Sequence, residues 1–590
     1  LGSAHTLGSH EVFVAVPARE MLETGDWVLP TYGHLPRLEK PPLAYWVAAT
    51  VGWLSGGVTE WSVRLPSVLA TLGLAALLGF WAARWYGAGR PLDGEASTAD
   101  GPDGLSTATE RTGPSRLQPR LPVLGRAAFG AALIQLTSVW VLTYGRRAEV
   151  DMLLTLLTTA ATFLLAEELT GPDGQPVSQR RWRLAWTLLA LAWLAKFHYG
   201  PALVLAPAFL FVLLTRRWAA LRGLFDPVGL AVFAAAVLAW PLAVLARCPQ
   251  AWVVWWQQTV GRALGSMGRD PVWFYGPSLL GQALPWTPLA LAAAVPSWRR
   301  AWFGHDARER FLWVWLLTQL AVLTASSDKH ANYLLATLPV VTLLAAQGFV
   351  QLADLADRGR VFLRGRDAGL LVAAAVVAAP VVWWKTTSRW PYAAGSLTLL
   401  CSLLVVGTVC VAGLLWKRRP VAAGTALLLF FLAGHGVVYG DLLARLDHRY
   451  SAAVFGRRLR AEVLGRSEVL AYRMDRAHSG LDPVVYYLGE PVRRVESAEQ
   501  LQRLVRRRGQ VLVVAYETRL DELAELGRTT VVRRMEPAVG HPPPKHPLFV
   551  LVRLDGRSAL APTDPPAAAR RPNTDRPRAA AAERKRSASL

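Results

Sequence analysis

Cysteine is nearly absent from this 590-residue chain: Cys248, Cys401 and Cys410 are the whole complement, and the last two fall inside an apolar run. Thiols so few and so placed exclude a disulfide framework and a cysteine-built zinc site. Acidic residues are also short, 42 against 64 Lys and Arg, for a formal charge of +22. Charged residues are only 18% of the chain and hydrophobic ones 53%, above the roughly 45–50% of soluble domains. That apolar excess excludes an ordinary soluble protein and gives the basic excess a different meaning. In a membrane protein, cationic loops set orientation rather than bind nucleic acid. The chain also lacks an initiating Met and a hydrophobic leader, so a segment is expected to precede Leu1.

What is present in quantity is apolar sequence and tryptophan, 25 residues of it, an amphipathic ring suited to the headgroup layer. Runs of about 17–25 apolar residues are long enough to span a hydrocarbon core. About twelve occur, near 63–83, 123–143, 150–168, 184–198, 201–215, 228–246, 274–296, 309–325, 331–350, 368–384, 395–416 and 420–440. The run from Leu43 to Leu54 is too short to span and is placed as a helix lying at the interface, with Trp46 and Trp53 at the boundary. One set of alternate loops carries well over twice the Lys and Arg of the other. The richer set is therefore cytoplasmic, which puts the N-terminal stretch and everything after about residue 441 outside.

This patterning predicts a polytopic α-helical membrane protein with a small C-terminal soluble α/β domain. Residues 1–62 form an outer-face loop with interfacial helices, and 63–440 the transmembrane body. Within that body, 87–122 is rich in Gly, Pro, Ser, Thr and charge without periodicity, and is expected to be a disordered cytoplasmic insertion. Over 445–555, β-rich runs (SEVLAY, QVLVVAY, PLFVLVRL) alternate with helical stretches near 496–508 and 517–527, which predicts the outer α/β domain. Residues 556–590, dominated by Pro, Ala and Arg, are expected to be a disordered tail.

Chemistry is concentrated in four outer-side places. The first is His10 to Trp46, too polar to cross a bilayer, carrying His10-Glu11 and Glu39-Lys40 before a Pro-Pro pair. It reads either as an active-site lid at the water–lipid boundary or as a solvated loop with an amphipathic helix. The second is Arg146-Arg147-Ala148-Glu149-Val150-Asp151. Asp151 there reads either as a functional carboxylate or as a helix N-terminal group satisfying free N–H groups. The third is Gln257 to Arg262, among tryptophans, and the fourth is Ser326 to Tyr333, which contains Lys329. Arg262 and Lys329 are either ligand contacts or cations snorkelling to headgroups.

Cations and carboxylates at one membrane face suit a lipid-linked sugar phosphate. Lys and Arg bind its phosphate and stabilise the charge that grows as the sugar leaves. A carboxylate takes the proton of an acceptor hydroxyl attacking the anomeric carbon, and direct displacement inverts the configuration.

The stretch HEVFVAVPAREMLETGDWVLP…LEKPPLAYW resembles the first outer loop of ArnT-like bacterial glycosyltransferases and their protein O-mannosyltransferase-like relatives of the GT-C superfamily. RRAEVDMLL is similar to that family's segment at the start of a span, and DPVWFYGPSLLGQALPWTPL to its aromatic element. SSDKHANYLLATLP matches its later signature, with Ala336 where a Pro is common. The resemblance runs over roughly residues 10–350. It implies a GT-C membrane fold whose first family span is missing here, and transfer of a sugar from a polyprenyl-phosphate donor to a lipid (lipid A-like) or protein acceptor.

Carried over by position, the resemblance places the catalytic acidic or base role on His10, Glu11 and Asp151. It places substrate contacts on Glu39, Lys40, Arg262, Lys329 and Tyr333. His10 stands where the family has Asp, so Glu11 takes the base role, or His10 does, or an already anionic acceptor needs none. No cofactor is certain; the resemblance also admits a divalent cation at His10, Glu11, Glu39 and Asp151. The implied partners are a polyprenyl-phosphate sugar donor, a lipid or protein acceptor and membrane lipids, without nucleic acid. The implied location is the bacterial inner membrane, with the site facing outward. The rival readings are a transporter or flippase for lipid-linked sugars, and a non-catalytic relative.

Overall fold

The computed structural model describes residues 6–86, 123–172, 176–265, 268–358, 364–463, 468–474 and 480–556. The expected insertion at 87–122 and the expected tail beyond Gly556 lie outside the described residues. Helices dominate. The chain opens with α1 (Ser9–Thr24), a short hairpin of β1 (Thr31–Tyr32) and β2 (Leu35–Pro36), and α2 (Leu43–Leu54). The membrane body runs through α3 (Glu60–Tyr86), α4 (Val123–Thr137), α5 (Val139–Tyr144), α6 (Asp151–Leu169), α7 (Gln179–Lys196) and α8 (Tyr199–Thr215). It continues through α9 (Pro227–Arg247), α10 (Ala251–Trp256), α11 (Tyr275–Gln282), α12 (Thr287–Trp302), α13 (Ala307–Ala325) and α14 (Leu338–Asp357), ending with α15 (Gly365–Thr387), α16 (Ala394–Trp416) and α17 (Pro420–Val437).

Every one of the twelve predicted spans falls on helix, but they are not equivalent. Among the described residues, seven helices are long and apolar enough to cross a membrane, and the pair α11–α12, bent by 112°, makes an eighth if it is one span. The other four coincide with α4–α5, broken at Ser138, with α7 and α13, which are more polar, and with the short α8. The predicted span at 331–350 begins instead as a 3-10 turn, Ala331–Ala336, before α14. Burial separates the bundle into layers. In α14 78% of the most apolar window is buried, whereas in α15 it is 17%. Helices this apolar and this exposed leave a continuous hydrocarbon surface, as at Leu370, Val377 and Leu429, that only lipid covers favourably. The protein is a multi-pass membrane protein.

The body is followed by α18 (Leu443–Arg445) and α19 (Tyr450–Val463), and then by β3 (Val469–Tyr472), α20 (Leu481–Leu488), β4 (Val492–Val495), α21 (Ala498–Arg508), β5 (Gln510–Tyr516), α22 (Leu520–Leu526), β6 (Arg528–Arg534) and β7 (Phe549–Asp555). The sheet order is β4-β3-β5-β7-β6. β3 is parallel to both neighbours, and β7 is antiparallel to both of its own. Alternation sends Val469 and Ala471 to one core and Leu470 and Tyr472 to the other, so both sheet faces are covered. The strands that the sequence patterning misses, β4 and β6, are the two edges. Edge strands are kept charged, and VRRV and RTTVVRR carry too little apolar alternation to stand out.

Candidate functional site

The first stretch opens with helix α1, continues through the β1–β2 hairpin and enters α2, and the first turn of α1 separates two adjacent residues. Successive helical side chains point about 100° apart. Glu11 turns inward, 4% exposed. There Arg64 Nε donates to its Oε1 at 2.8 Å and Nη2 to its Oε2 at 3.1 Å. The Gly8 N–H caps the same carboxylate at 2.9 Å, and the Ala148 N–H reaches it at 3.2 Å. A bidentate buried pair of this kind joins α1, α3 and the loop before α6. His10 turns the other way and opens onto a cavity.

That cavity has a volume of about 760 Å3 and is lined by α1, the hairpin and the segment after it, the turn before α6, the end of α7, the segments around Arg262 and Tyr333, and three residues of the C-terminal domain. Its walls include His10, Glu39, Lys40, Asp151, Arg262 and Tyr333, six of the eight residues singled out from sequence. The hairpin brings the Glu39-Lys40 pair. Gly33 and His34, both at positive φ, make the tight turn between β1 and β2. Glu20 accepts hydrogen bonds from Thr31 Oγ1 and from the Gly33 N–H at 2.7 Å. Two indoles then fasten the loop to the bundle: Trp240 Nε1 donates to the Val28 carbonyl at 2.8 Å and Trp255 Nε1 to the Leu38 carbonyl at 3.0 Å.

Asp151 begins α6, but its side chain does not serve as a helix cap. Its Oδ1 accepts from Lys196 Nζ at 2.9 Å. Lys196, the last residue of α7, also lies 4.2 Å from the ring centroid of Tyr333 and 5.0 Å from that of Tyr199. Arg262 Nη1 donates to the Tyr333 hydroxyl at 3.2 Å, and its Nε is 3.6 Å from Asp328. Tyr333 is thus the hub between two cations. Lys196 was not identified as a site residue from sequence; the signal available was a lone ammonium closing the apolar second half of α7. Arg37, Arg147, Glu149, Asn332 and Arg494 also line the cavity and were likewise missed.

Two expected residues lie elsewhere. Glu11 is paired with Arg64 and does not line the cavity. Lys329 is 5% exposed, and its Nζ donates to the carbonyls of Ser326 at 2.7 Å and Asp270 at 3.2 Å. It secures the loop that presents His330, Asn332 and Tyr333 rather than reaching the cavity. Glu39 faces Arg37, 3.9 Å away, and not Lys40. The cluster expected to hold a divalent cation is not assembled. Glu11 is neutralised by Arg64 and Asp151 by Lys196, and among the described residues no three His, Cys, Asp or Glu side chains come together to bind a metal.

The electrostatics are uneven. Six cationic side chains line the cavity (Arg37, Lys40, Arg147, Lys196, Arg262 and Arg494), against three carboxylates (Glu39, Glu149 and Asp151). Lys40 and His10 open onto the cavity but are surrounded by protein on their remaining sides. Desolvation holds both below their ordinary pKa, with Lys40 adding to the effect on His10 and favouring its neutral imidazole. Burial, followed by the charge of Asp151, pushes Glu149 up to about 7. The cavity therefore offers a surplus of positive charge for an anion and two groups able to accept a proton near neutrality.

No family model matches the chain. It is 30% identical over 425 residues, 70% of this chain and 67% of the relative, to the undecaprenyl phosphate-alpha-4-amino-4-deoxy-L-arabinose arabinosyl transferase of Pseudomonas aeruginosa. An enzyme of the same name from Pseudomonas fluorescens is 26% identical over 555 residues, covering 88% of this chain and 92% of the relative. Among solved structures, ArnT from Cupriavidus metallidurans bound to undecaprenyl phosphate superposes with a TM-score of 0.69 at 19% identity, covering 95% of this chain and 96% of that one. The fold is thus that of ArnT. The chain belongs to the ArnT-like family of membrane glycosyltransferases.

Proposed function

We propose that the protein transfers a sugar from a polyprenyl-phosphate donor to a lipid acceptor of the lipid A type, or to a protein, at the outer face of the bacterial inner membrane, with inversion. The observation that carries this reading is the surplus of cations in a cavity flanked by apolar helices. A sugar phosphodiester brings one negative charge and, on cleavage, leaves a phosphate monoester with more. Lys40, Lys196 and Arg262, with the Tyr333 hydroxyl, are placed to hold that phosphate. They stabilise the leaving group more strongly than the bound donor, which is the condition for catalysis.

The acceptor attacks the anomeric carbon from the face opposite the phosphate. Where the acceptor is a hydroxyl, neutral His10 or ionised Glu149 takes its proton; an acceptor that is already an anion needs no base. Asp151 keeps Lys196 charged and in place. A flippase would place its polar groups at mid-span. The position of Asp151 as the first residue of α6 and of Lys196 as the last of α7 favours the enzyme. The test is incubation of the purified protein with radiolabelled undecaprenyl-phosphate sugar and lipid A in detergent. Label appearing in the acceptor supports the reading. Label that stays on the carrier, or merely crosses a proteoliposome bilayer, contradicts it.

A further inference from the structure

A second, apolar groove of about 480 Å3 runs between α5, α16 and α17. These last two helices face outward: 17% of the most apolar window of α16 and 11% of that of α17 is buried. The lining follows α16 from Leu400 to Leu415, roughly 22 Å at about 1.5 Å per residue. That exceeds the roughly 15 Å from the interface to the middle of a hydrocarbon core, so an extended acyl chain fits along it. Small side chains at Gly407, Thr408, Ala412 and Gly434 keep the groove open. At Gly407 the two helices lie so close that a Cβ would meet the Phe430 ring at 3.0 Å.

One end of the groove is polar. His435 and Tyr439 line it there, their ring centroids 4.2 Å apart, and the Arg146 guanidinium lies 3.7 Å from the centroid of Tyr439. Arg146 is half-buried. Burial, with Arg64 nearby, lowers its pKa to about 10, so it keeps its charge at pH 7. Among the described residues its side chain has neither a hydrogen bond nor an ion pair. Glu11, whose field it feels, is held by Arg64, and no carboxylate lines the groove. A half-desolvated cation without a counter-ion is costly. Stacking on one tyrosine offsets part of that cost, and an anion from outside the chain would offset the rest.

One cation at the head of one apolar channel matches one phosphodiester and one acyl chain. A carrier phosphate monoester is served instead by the neighbouring cavity, where six cations are gathered. A zwitterionic headgroup would bring an ammonium to a place with no carboxylate to receive it.

We propose that Arg146, His435, Tyr439 and the groove between α5, α16 and α17 form a binding site for an anionic glycerophospholipid of the surrounding bilayer. Its phosphate sits on Arg146, one acyl chain lies in the groove, and the other chain stays in the bilayer. Arg suits a phosphate because its planar fork matches the oxygens in pairs. Arg147, the next residue, lines the cation-rich cavity, so the bound lipid rests against the same turn that presents Glu149 and Asp151. The site goes beyond the transferase reading and does not depend on it.

The experiment is photo-cross-linking to the full chain in detergent, with phosphatidylglycerol and phosphatidylethanolamine carrying the same photoreactive acyl chain. Labelled peptides are mapped by mass spectrometry. Wild type is expected to saturate with phosphatidylglycerol at a concentration at least fivefold lower than with phosphatidylethanolamine, with label on α16 and α17. Arg146→Gln is expected to bring the two lipids within about twofold of each other, and Arg146→Lys to retain part of the preference. Thr408→Trp, which fills the groove, is expected to cut labelling of α16 by both lipids at least fivefold. All three variants are expected to bind radiolabelled undecaprenyl phosphate within twofold of wild type, which shows that they are folded and that the sites are separate. The proposal is overturned if wild type does not distinguish the two lipids, or if label spreads evenly over the lipid-facing helices. It is also overturned if Arg146→Gln keeps the preference, or if equimolar undecaprenyl phosphate or lipid A displaces phosphatidylglycerol from the groove. The wild-type arms decide the matter even where a variant does not fold.

Discussion

Lys196 Nζ lies 2.9 Å from Asp151 Oδ1, an ion pair between the last residue of one helix and the first residue of another. Asp151 is 6% exposed and Lys196 17%. Removing one member of so buried a pair strands the other, at a cost of about 3–5 kcal/mol. Lys196→Ala and Asp151→Asn are each expected to lower thermal stability in detergent and to reduce sugar transfer at least 100-fold. The double variant should be less unstable than the sum of the two, by more than about 0.5 kcal/mol. Strict additivity in the unfolding data would show that the pair is not coupled.

Glu11 and Lys329 are expected to matter for folding rather than chemistry. Glu11→Gln removes the charge that neutralises Arg64, and Lys329→Ala frees the carbonyls of Ser326 and Asp270. Both should lower the melting temperature. Transfer per folded molecule with Glu11→Gln should stay within about tenfold of wild type, because the carboxylate does not reach the cavity. A loss of turnover with an unchanged melting temperature would restore Glu11 to the catalytic group.

Glu149 supplies a pH dependence. Its pKa is raised from 4.5 to about 7, so the folded chain keeps this proton over a range in which the unfolded chain has lost it. Between pH 4.5 and 7 the native state therefore binds more protons, and this group's contribution to stability falls as pH rises through that window. Glu149→Gln should flatten the slope of stability against pH there. If the ionised carboxylate takes the acceptor's proton, wild-type activity also climbs through about pH 7, and the variant loses that limb of the profile. An unchanged profile in Glu149→Gln would leave His10 as the proton acceptor, or an anionic acceptor that needs no base.

Trp255 positions Lys40 indirectly, through the Leu38 carbonyl. Trp255→Phe keeps most of the ring packing but leaves that buried carbonyl without its donor, a cost of about 1–3 kcal/mol. The expected signature is a several-fold rise in donor KM with a smaller change in kcat, measured by initial rates over a donor series. A pure kcat effect would argue that the loop moves with the chemistry rather than with binding.

Local composition determined the membrane body and the sheet domain. Apolar runs as long as a bilayer is thick have few other uses, and hydrophobic β-rich runs marked the three inner strands, whereas the charged edges β4 and β6 carried no such mark. Sequence also located the four polar stretches that meet at the cavity, because charge is conspicuous among spans that exclude it. Only the tertiary structure decided which neighbour in each stretch faces inward. His10 opens to the cavity while Glu11 pairs with Arg64; Arg147 lines it while Arg146 stacks on Tyr439; Tyr333 lines it while Lys329 holds its own loop. These choices depend on helix phase and on partners distant in the chain: Arg64 for Glu11, Lys196 for Asp151, and Arg494 arriving from a separate domain to complete the wall. A side chain's role here is set by the charge it meets, and that meeting takes place across elements whose separation in sequence gives no local trace.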